Sequence, residues 1–338
     1  MDITGPYPSD GYHNDAALAS HVLKSHNGLK EFLQDEDVQI LDRGFRNAKD
    51  SFEECSLSIK MPEFLDKDQK CFSVNQANQS RLVTKCRWVV EAYHARLKKF
   101  KLIDGVVHST HILHLADYVH IITAALNAFR PPLYSEKPED EEIAKLMLEK
   151  AVQTHNALAE RVVEGPLSSR GRKWKELDDE EVVFPILSKE YLNTITCGVY
   201  QLKMAKHYMQ EHLDEQGDFK LQVHNEAPDL IRINLQSRHH NSVKYNALIE
   251  YDNTFHNNNN DEDNTNNNDN NNNNNSSTNN MNNNNIIKGW YCSCKCGQRT
   301  VGCCSHVATV LWYLGSERYN KVTKKISKVK NVLTNVKK

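Results

Sequence analysis

The chain has 338 residues, a formal net charge of −2 and 25 % charged residues. This length is enough for two ordinary domains, and the balanced charge leaves nucleic-acid binding to local basic patches rather than to the overall field. We find no apolar stretch of the roughly 18 residues that a membrane span requires, and the polar start lacks the features of a signal peptide. We therefore expect an intracellular protein. Five of its nine cysteines are clustered within residues 290–315, which indicates metal binding rather than disulfides.

The first predicted domain covers residues 1–133. It contains a helix around "NDAALASHVLKS", a strand "VQILD" that ends at Asp42, and two later helices, around "TKCRWVVEAYHARLKKFK" and in "HLADYVHIITAALNAFR". A charged stretch punctuated by prolines follows at 134–183. We interpret it as a helical linker whose helix, "DEEIAKLMLEKAVQTHNALAERVVEG", ends at Gly165 and Pro166.

The second predicted domain covers residues 184–320 and is a small α+β unit. Helix-like spacing in "VFPILSKEYLNTITCGVYQLKMAKHYMQEHL" precedes a strand, "LIRINLQSR". Two further strands, "VKYNALIEYD" and "IIKGWYCSC", flank an asparagine-rich insert at 253–285, so we expect antiparallel neighbours joined by a disordered loop. A basic tail at 321–338 is either a solvated tail or a segment that contacts nucleic acid.

Two pairs of metal-binding side chains lie near the end of this domain. Cys292 and Cys294 are two apart at the end of an extended segment, where alternate side chains share one face. Cys304 and His306 repeat this spacing at the start of a helix that Ser305 could cap. Three cysteines and one histidine form a closed tetrahedral shell without a position for water, so we predict a structural Zn²⁺ that stabilises the fold.

The pattern C-x-C, nine residues, C-x-H resembles the SWIM zinc finger, here over residues 290–315. This resemblance implies binding to DNA or to a protein partner. Cys296 and Cys303 are surplus to the pattern, and either could substitute for a neighbouring ligand. The helix that follows His306 has an apolar face, which we expect to consist of Val307, Val310, Leu311 and Leu314.

Four segments of the first domain carry a second resemblance. "GPYPSDGYHNDA", "ILDRGFR", "RWVVEAYHARLKKFKLIDG" and "DYVHIITAALNAFRPPL" together resemble the C-terminal part of a Harbinger-type DDE transposase domain, in the form fused to a SWIM finger. The resemblance implies a partial ribonuclease-H-like α/β fold. It also implies cleavage of phosphodiesters by two divalent ions, Mg²⁺ or Mn²⁺, which three carboxylates hold.

The resemblance assigns roles to individual residues of the first domain. Asp42 matches the second acid of the family, and Glu91 matches the third. The cations expected to face DNA phosphates are Arg87, Arg96, Lys98 and Lys99. Without the resemblance, the same stretch would be an ordinary solvated basic helix face, in which Glu91 pairs with Arg87 four positions earlier.

The first acid of the family precedes the segment at which this chain begins, so we expect it to be lacking here. Asp2, Asp10 and Asp15 do not match its position, and Asp2 is the nearest substitute. The DNA-recognition region at the N-terminus of the family is expected to be lacking as well. Two carboxylates instead of three predict weak metal binding and no useful catalysis.

We favour a nuclear, transposon-derived protein in which an inactive DDE nuclease domain precedes a zinc finger that binds DNA or a protein. We expect DNA as the partner, and neither a membrane nor a small-molecule substrate. The first alternative is an active metal-dependent transposase or endonuclease, whose first acid is Asp2 or comes from another chain. The second alternative is an adaptor that uses the zinc finger for protein contacts alone.

Overall fold

The computed structural model describes residues 3, 5–25, 32–135, 137–163, 165, 167, 173–177, 181–213, 219–237, 240, 242–252 and 286–319. The chain divides into two compact units. One is built from Met1–Phe64 and Gln79–Glu141, and the other from Leu65–Asn78 and Glu142–Lys338. These bounds differ from the predicted domains at 1–133, 134–183 and 184–320.

The described residues form α-helices and β-strands, so the fold is a mixed one, as predicted. The helices are α1 (Asp15–Ser25), α2 (Lys49–Glu53), α3 (Val74–Leu97), α4 (Leu115–Phe129), α5 (Pro138–Ala151), α6 (Ala157–Val163), α7 (Lys189–Thr196), α8 (Tyr200–Gln210) and α9 (Ser305–Gly315). The strands are β1 (Val38–Ile40), β2 (Ser58–Lys60), β3 (Trp174–Leu177), β4 (Leu221–His224), β5 (Ala227–Gln236), β6 (Lys244–Tyr251) and β7 (Ile287–Cys292).

The first unit contains a two-stranded parallel sheet. β1 and β2 pair in parallel, with Val38 opposite Ser58, and a 3-10 helix at Arg43–Ala48 followed by α2 connects them. Helix α1 packs against this connection in a small core of Ala16, Leu23, Ala48, Phe52 and Leu57. The predicted strand "VQILD" is therefore present, but it ends at Ile40, two residues before Asp42. This arrangement fits an α/β class, and a ribonuclease-H-like fold is not confirmed by it.

One stretch of the first unit is more apolar than the sequence analysis expected. Of the described residues, Ser109–Phe129 is long and apolar enough to cross a membrane by length and composition. The expectation that no such stretch exists was therefore wrong. The stretch is weak evidence for a span, because it contains Asp117 and three histidines, which are costly inside a bilayer.

The second unit is built on a five-stranded antiparallel meander in the order β3-β4-β5-β6-β7. The side chains of adjacent residues point to opposite faces, as the pleat requires. In β6, Ala247 and Ile249 belong to one core, whereas Leu248 between them belongs to the other. The predicted hairpin is confirmed, because β6 and β7 pair antiparallel with Leu248 opposite Tyr291. The asparagine-rich insert at 253–285 lies outside the described residues, as does the tail at 321–338.

Helices cover both faces of this sheet. On one face, α7, α8 and α9 share a core with the strands, including the fully buried Leu192, Ala205 and Leu311. On the other face, α6 contributes Leu158 and Ala159 to a smaller core. Each large aliphatic side chain buried in this way contributes about 1.5–3 kcal/mol relative to exposure.

From Glu142 onward, the predicted linker belongs to the second unit. The single helix expected in this stretch is divided into α5 and α6, because the Asn156 side chain caps α6 by accepting a hydrogen bond from Ala159 N at 3.0 Å. Strand β3 then pairs with β4, with Trp174 opposite His224. A strand of four residues has too short a pattern to be recognised beside a charged stretch.

His224 provides a pH-dependent contribution to stability in this sheet. Its ring is 4 % exposed and lies edge-on to Trp174, with a centroid separation of 5.1 Å. Nδ1 accepts a hydrogen bond from Glu226 N at 3.3 Å, so the neutral ring carries its proton on Nε2. Burial lowers the pKa of His224, the positive charges of Lys173, Arg161 and Arg232 lower it further, and Glu226 opposes them.

We predict that the free energy of unfolding falls as the pH drops below about 6.5, the ordinary pKa of histidine. The pKa of His224 is lower in the folded state than in the unfolded state. As the pH falls, the imidazole is therefore protonated in the unfolded chain while it is still neutral in the folded chain. The contribution is fully present above the unfolded pKa and is lost as the pH falls towards the folded pKa. Denaturant unfolding between pH 7.5 and 5 should show a steeper loss for the wild type than for His224→Phe. Parallel profiles for the two proteins would contradict this role.

Candidate metal centre

The structure brings together the four residues whose spacing predicted a zinc site. Cys292 ends strand β7, Cys294 follows in the turn, and Cys304 and His306 lie at the start of α9. One potential ligand atom from each residue lies within 4.8 Å of all the others. The Cys292 Sγ is 3.7 Å from His306 Nδ1. This donor set of three sulfurs and one imidazole is one that zinc prefers.

A tight turn after β7 orients the first pair of cysteines. Cys292 N donates to Gly297 O at 3.1 Å, and Gly297 N donates to Cys294 O at 3.0 Å, so the chain folds back on itself within six residues. A Cβ atom on Gly297 would lie 1.9 Å from Cys292 O. Glycine is therefore required at this position, because any side chain would force the turn open.

The second pair is fixed by the start of α9. The helix begins at Ser305, and Cys304 occupies the N-cap position with an extended backbone, so the expectation that Ser305 caps the helix was wrong. Gly302 has φ +65°, and a Cβ there would meet Thr196 O at 2.6 Å. The chain turns sharply at this glycine, beside the end of α7, and then places Cys304 and His306 opposite the first pair.

The three cysteine thiols of the cluster are buried. Cys292, Cys294 and Cys304 are each no more than 5 % exposed. Burial raises the pKa of the Cys292 thiol. For Cys304, burial acts in the same direction, but hydrogen bonds from Cys292, Cys294 and His306 outweigh it and lower the pKa. The cluster thus favours a thiolate at Cys304, the N-cap residue of α9, and thiolates are the form that binds metal.

Arg299 supports the fit of the site to zinc. Its guanidinium is buried, Nη2 donates to Cys303 O, and Nε has no hydrogen-bond partner among the described residues. A buried cation without compensating negative charge is costly. Zn²⁺ with three thiolates and a neutral imidazole would carry a net charge of −1, and Cys294, Cys296 and Cys304 all interact with Arg299 electrostatically. The positive charge of the guanidinium is thus suited to offset the negative charge of the site with Zn²⁺ bound.

His306 lies between two tyrosine rings. The ring centroid of Tyr245 is 4.8 Å away, and that of Tyr208 is 5.4 Å away. The Tyr208 hydroxyl donates to Gln236 O, which fixes its ring against β5. Both rings come from outside the predicted finger and restrict the imidazole to the orientation in which Nδ1 faces Cys292.

The two surplus cysteines are close to the cluster without joining the group of four. Cys296 hydrogen-bonds with Cys294, and this bond lowers the pKa of Cys296 to about 6 against the effect of burial. Cys303 is fully buried, and its carbonyl accepts from Arg299. Their predicted role as alternate ligands is not tested by this geometry.

Helix α9 is buried on all sides. The four residues of the predicted apolar face are buried, but so are Ala308, Thr309, Trp312 and Tyr313. The sequence pattern predicts a helix with one buried face. In the structure the helix lies between the sheet and α8, so the opposite face is buried as well. A helix in this position is not available to enter a DNA groove, so any DNA contact must come from other elements.

In the first unit, the two predicted acids, Asp42 and Glu91, both contact Arg87. Arg87 Nη2 lies 2.9 Å from Asp42 Oδ2 and 3.2 Å from Glu91 Oε1. Asp42 also caps the 3-10 helix Arg43–Ala48 by accepting from Arg43 N. The structure therefore brings Asp42 and Glu91 together, but with the Arg87 guanidinium between their carboxylates.

The remaining predicted residues of the first unit have separate roles. Arg96 Nη1 donates to Pro131 O at 2.8 Å, and Lys98 and Lys99 are exposed just beyond the end of α3. Asp2 lies outside the described residues. The hydrogen bond from His13 N lowers the pKa of Asp10 to about 2, and Tyr12 N donates to the same carboxylate.

Several residues of the centre were not found from the sequence. Arg299, Tyr208 and Tyr245 show no ligand spacing, and only the fold places them beside the cysteines. Asn78 and Asn156 are further removed along the chain, yet both hydrogen-bond to the segment around the ligands. An asparagine within an amphipathic stretch gives no signal of such a contact in a single sequence.

Comparison with known proteins identifies the C-terminal part of the chain. Residues 277–315 match the family model of the SWIM zinc finger. No curated protein and no solved structure matches the chain. The match lies outside the segments that resemble a DDE transposase domain, and that resemblance is not shown. The chain therefore carries a SWIM zinc finger with a Cys/His cluster, and this family implies zinc binding.

Proposed function

We propose that the chain is a DNA-binding protein whose second unit is stabilised by one structural Zn²⁺, held by Cys292, Cys294, Cys304 and His306. The observation that carries the zinc assignment is the convergence of the four ligand atoms within 4.8 Å, with the three cysteines buried and His306 partly buried. A closed set of four protein ligands leaves no position for a catalytic water. Zinc would therefore act by connecting the end of β7 to the start of α9.

Substitution of a ligand should abolish zinc binding. We expect Cys304→Ser and His306→Ala to lose the bound zinc found in the wild type and to unfold the residues from about 285 onward, because metal binding and folding are coupled. Zinc content measured by mass spectrometry and amide hydrogen exchange would test both parts.

The exposed Cys86 provides a matched control, because Cys86→Ser removes a thiol without touching the pocket. Cys296→Ser and Cys303→Ser test the alternates and should retain zinc. Full zinc content in both ligand variants would refute the assignment. Loss of zinc in Cys296→Ser or Cys303→Ser would instead place that residue among the ligands.

We propose that DNA contact comes from the basic end of α3. Lys98, Lys99 and Lys101 are exposed within four residues, with Phe100 between them. Arg87 is less suited to this role than predicted, because its guanidinium contacts two carboxylates. The buried position of α9 supports a DNA surface formed by an element other than the zinc helix.

We predict salt-dependent DNA binding that weakens when these lysines are removed. Each phosphate contact contributes about −0.9 to the slope of log K against log salt. Lys98→Ala with Lys99→Ala should therefore reduce the magnitude of the slope by about 2, as measured by fluorescence anisotropy with duplex DNA. Lys203→Ala with Lys220→Ala, which removes two exposed lysines of the second unit, should leave the slope unchanged. Absence of DNA affinity in the wild type would favour the adaptor that contacts proteins alone.

We further propose that the first unit is an inactive, transposon-derived nuclease domain in a nuclear protein. The four resembling segments support this origin. The position of Arg87 supports inactivity, because its guanidinium pairs with Asp42 and Glu91 and offsets part of the negative charge that would attract a divalent ion. In this proposal the three side chains stabilise the first unit instead of binding Mg²⁺ or Mn²⁺.

We expect no nicking of duplex DNA by the wild type in Mg²⁺ or Mn²⁺, assayed on supercoiled plasmid. Glu91→Gln should change the free energy of unfolding by less than about 1 kcal/mol, because Glu91 and Asp42 are largely exposed and pairs of this kind are weak. Divalent-dependent nicking that disappears in Glu91→Gln would establish the active nuclease instead.

A further inference from the structure

The segment between the two ligand pairs is held by residues that precede it by more than 200 positions within the same unit. Phe72 N donates to Lys295 O at 2.8 Å. Gln298 Nε2 lies 3.2 Å from Cys71 Sγ. The segment Leu65–Asn78, which belongs to the second unit, thus runs alongside the loop that separates Cys294 from Cys304.

Asn78 makes the most extensive of these contacts. Its Oδ1 accepts hydrogen bonds from Thr300 N at 2.9 Å and from Val301 N at 3.0 Å. Its Nδ2 donates to Thr300 Oγ1 at 2.9 Å and to Gln153 O at 3.2 Å. The side chain is 0 % exposed. One buried amide therefore satisfies two consecutive backbone N–H groups of the ligand loop, and both of its own functional groups are used.

The first turn of α3 fixes Asn78 itself. Ser73 and Gln76 form a reciprocal cap at the start of the helix, in which Gln76 N donates to Ser73 Oγ at 3.3 Å and Ser73 N donates to Gln76 Oε1 at 3.0 Å. Thr300 adds a second connection, since its Oγ1 donates to Lys150 O at 3.2 Å at the end of α5. The loop is therefore held against two helix ends.

Asn156 acts in the same way on the other side of the loop. Its Nδ2 donates to Trp290 O at 3.0 Å and to Gln298 O at 3.1 Å. The first acceptor lies on β7, two residues before Cys292, and the second lies in the ligand loop. Asn156 thereby fixes the separation between the strand that carries the first ligand and the loop that leads to the second pair.

We propose that Asn78 is a positioning residue of the zinc site, and that Asn156 has the same role through its hydrogen bond to β7. This inference rests on the zinc binding proposed above. Asn78 holds the backbone of Thr300 and Val301, four and three residues before Cys304, and so keeps the second ligand pair opposite the first. Without it, the buried N–H of Val301 and the partly buried N–H of Thr300 lose their acceptor, and the loop gains conformational freedom. Both effects oppose the ordered arrangement that zinc requires.

The alternative is that Asn78 serves the general stability of the second unit and has no particular effect on zinc. The two roles differ in what they change. A general packing residue alters the unfolding midpoint but leaves the zinc affinity of the folded chain as it was. A positioning residue alters the zinc affinity and the geometry at the metal while all four ligands are still present.

The test uses the full-length chain with Asn78→Leu, which keeps the approximate volume and removes all hydrogen bonds. Asn75→Ala is the matched control, because Asn75 is an exposed asparagine in the same turn of α3. Zinc affinity is measured by competition with a chromophoric chelator, and ligand geometry by the visible absorption of the Co²⁺-substituted protein. We expect Asn78→Leu to bind zinc at the wild-type stoichiometry but about 10-fold or more weakly, as for other residues that orient metal ligands. Its Co²⁺ spectrum should be altered, and Asn75→Ala should match the wild type.

Unchanged affinity and an unchanged Co²⁺ spectrum in Asn78→Leu, with a lower unfolding midpoint, would overturn the inference. If Asn78→Leu does not fold, Thr300→Val provides the same test, because it removes the Oγ1 bonds and preserves shape. Faster zinc release from Thr300→Val than from the wild type supports the inference, and equal rates overturn it. A wild-type chain without zinc affinity would instead refute the proposed function, so the two failures are distinguishable.

Discussion

The second unit depends on bringing the end of one strand to the start of one helix. Cys292 at the end of β7 and Cys294 in the turn after it must meet Cys304 and His306 at the start of α9, and the three cysteines among them are buried. The turn at Gly297 and the left-handed backbone at Gly302 make this meeting sterically possible. The sheet positions β7, the α7–α8 layer positions α9, and the buried charge of Arg299 would offset the net charge of −1 of the site with Zn²⁺ bound. The ligand geometry is thus a property of the whole unit.

The part of the site that is local in sequence could be predicted from the sequence, and the part that is distant could not. The ligand pairs repeat one spacing, and the β6–β7 hairpin has two apolar runs on either side of a polar insert, so both leave patterns. The complete burial of α9 arises because α8 packs over it. The sequence pattern of α9 does not indicate this contact. Strand β3 escaped notice because four residues in a charged stretch show too little alternation. The contacts of Asn78 and Asn156 depend on tertiary structure alone.

The first unit shows how a resemblance and a geometry can lead to different chemistry. The sequence indicates two acids and a basic helix face, and the fold does place Asp42 and Glu91 near each other. A metal site requires these oxygens to face an empty space that attracts a cation. Here Arg87 supplies the cation from the protein itself, so the carboxylates are satisfied by a hydrogen-bonded ion pair. Charge pattern in a sequence identifies the groups that meet, but not whether a side chain or a metal ion balances them.

The separation between ligands and supporting residues has a consequence for the order of assembly. Cys292 and His306 are 14 positions apart, whereas Asn78 and Thr300 are 222 positions apart. Closing the longer loop has the higher entropic cost and is the slower event in folding. During synthesis the segment that contains Asn78 emerges first, and the ligand loop follows later. Zinc can therefore bind first to a weakly ordered finger. Tight zinc binding would follow once the ligand loop packs against α3 and α6, which are synthesised earlier.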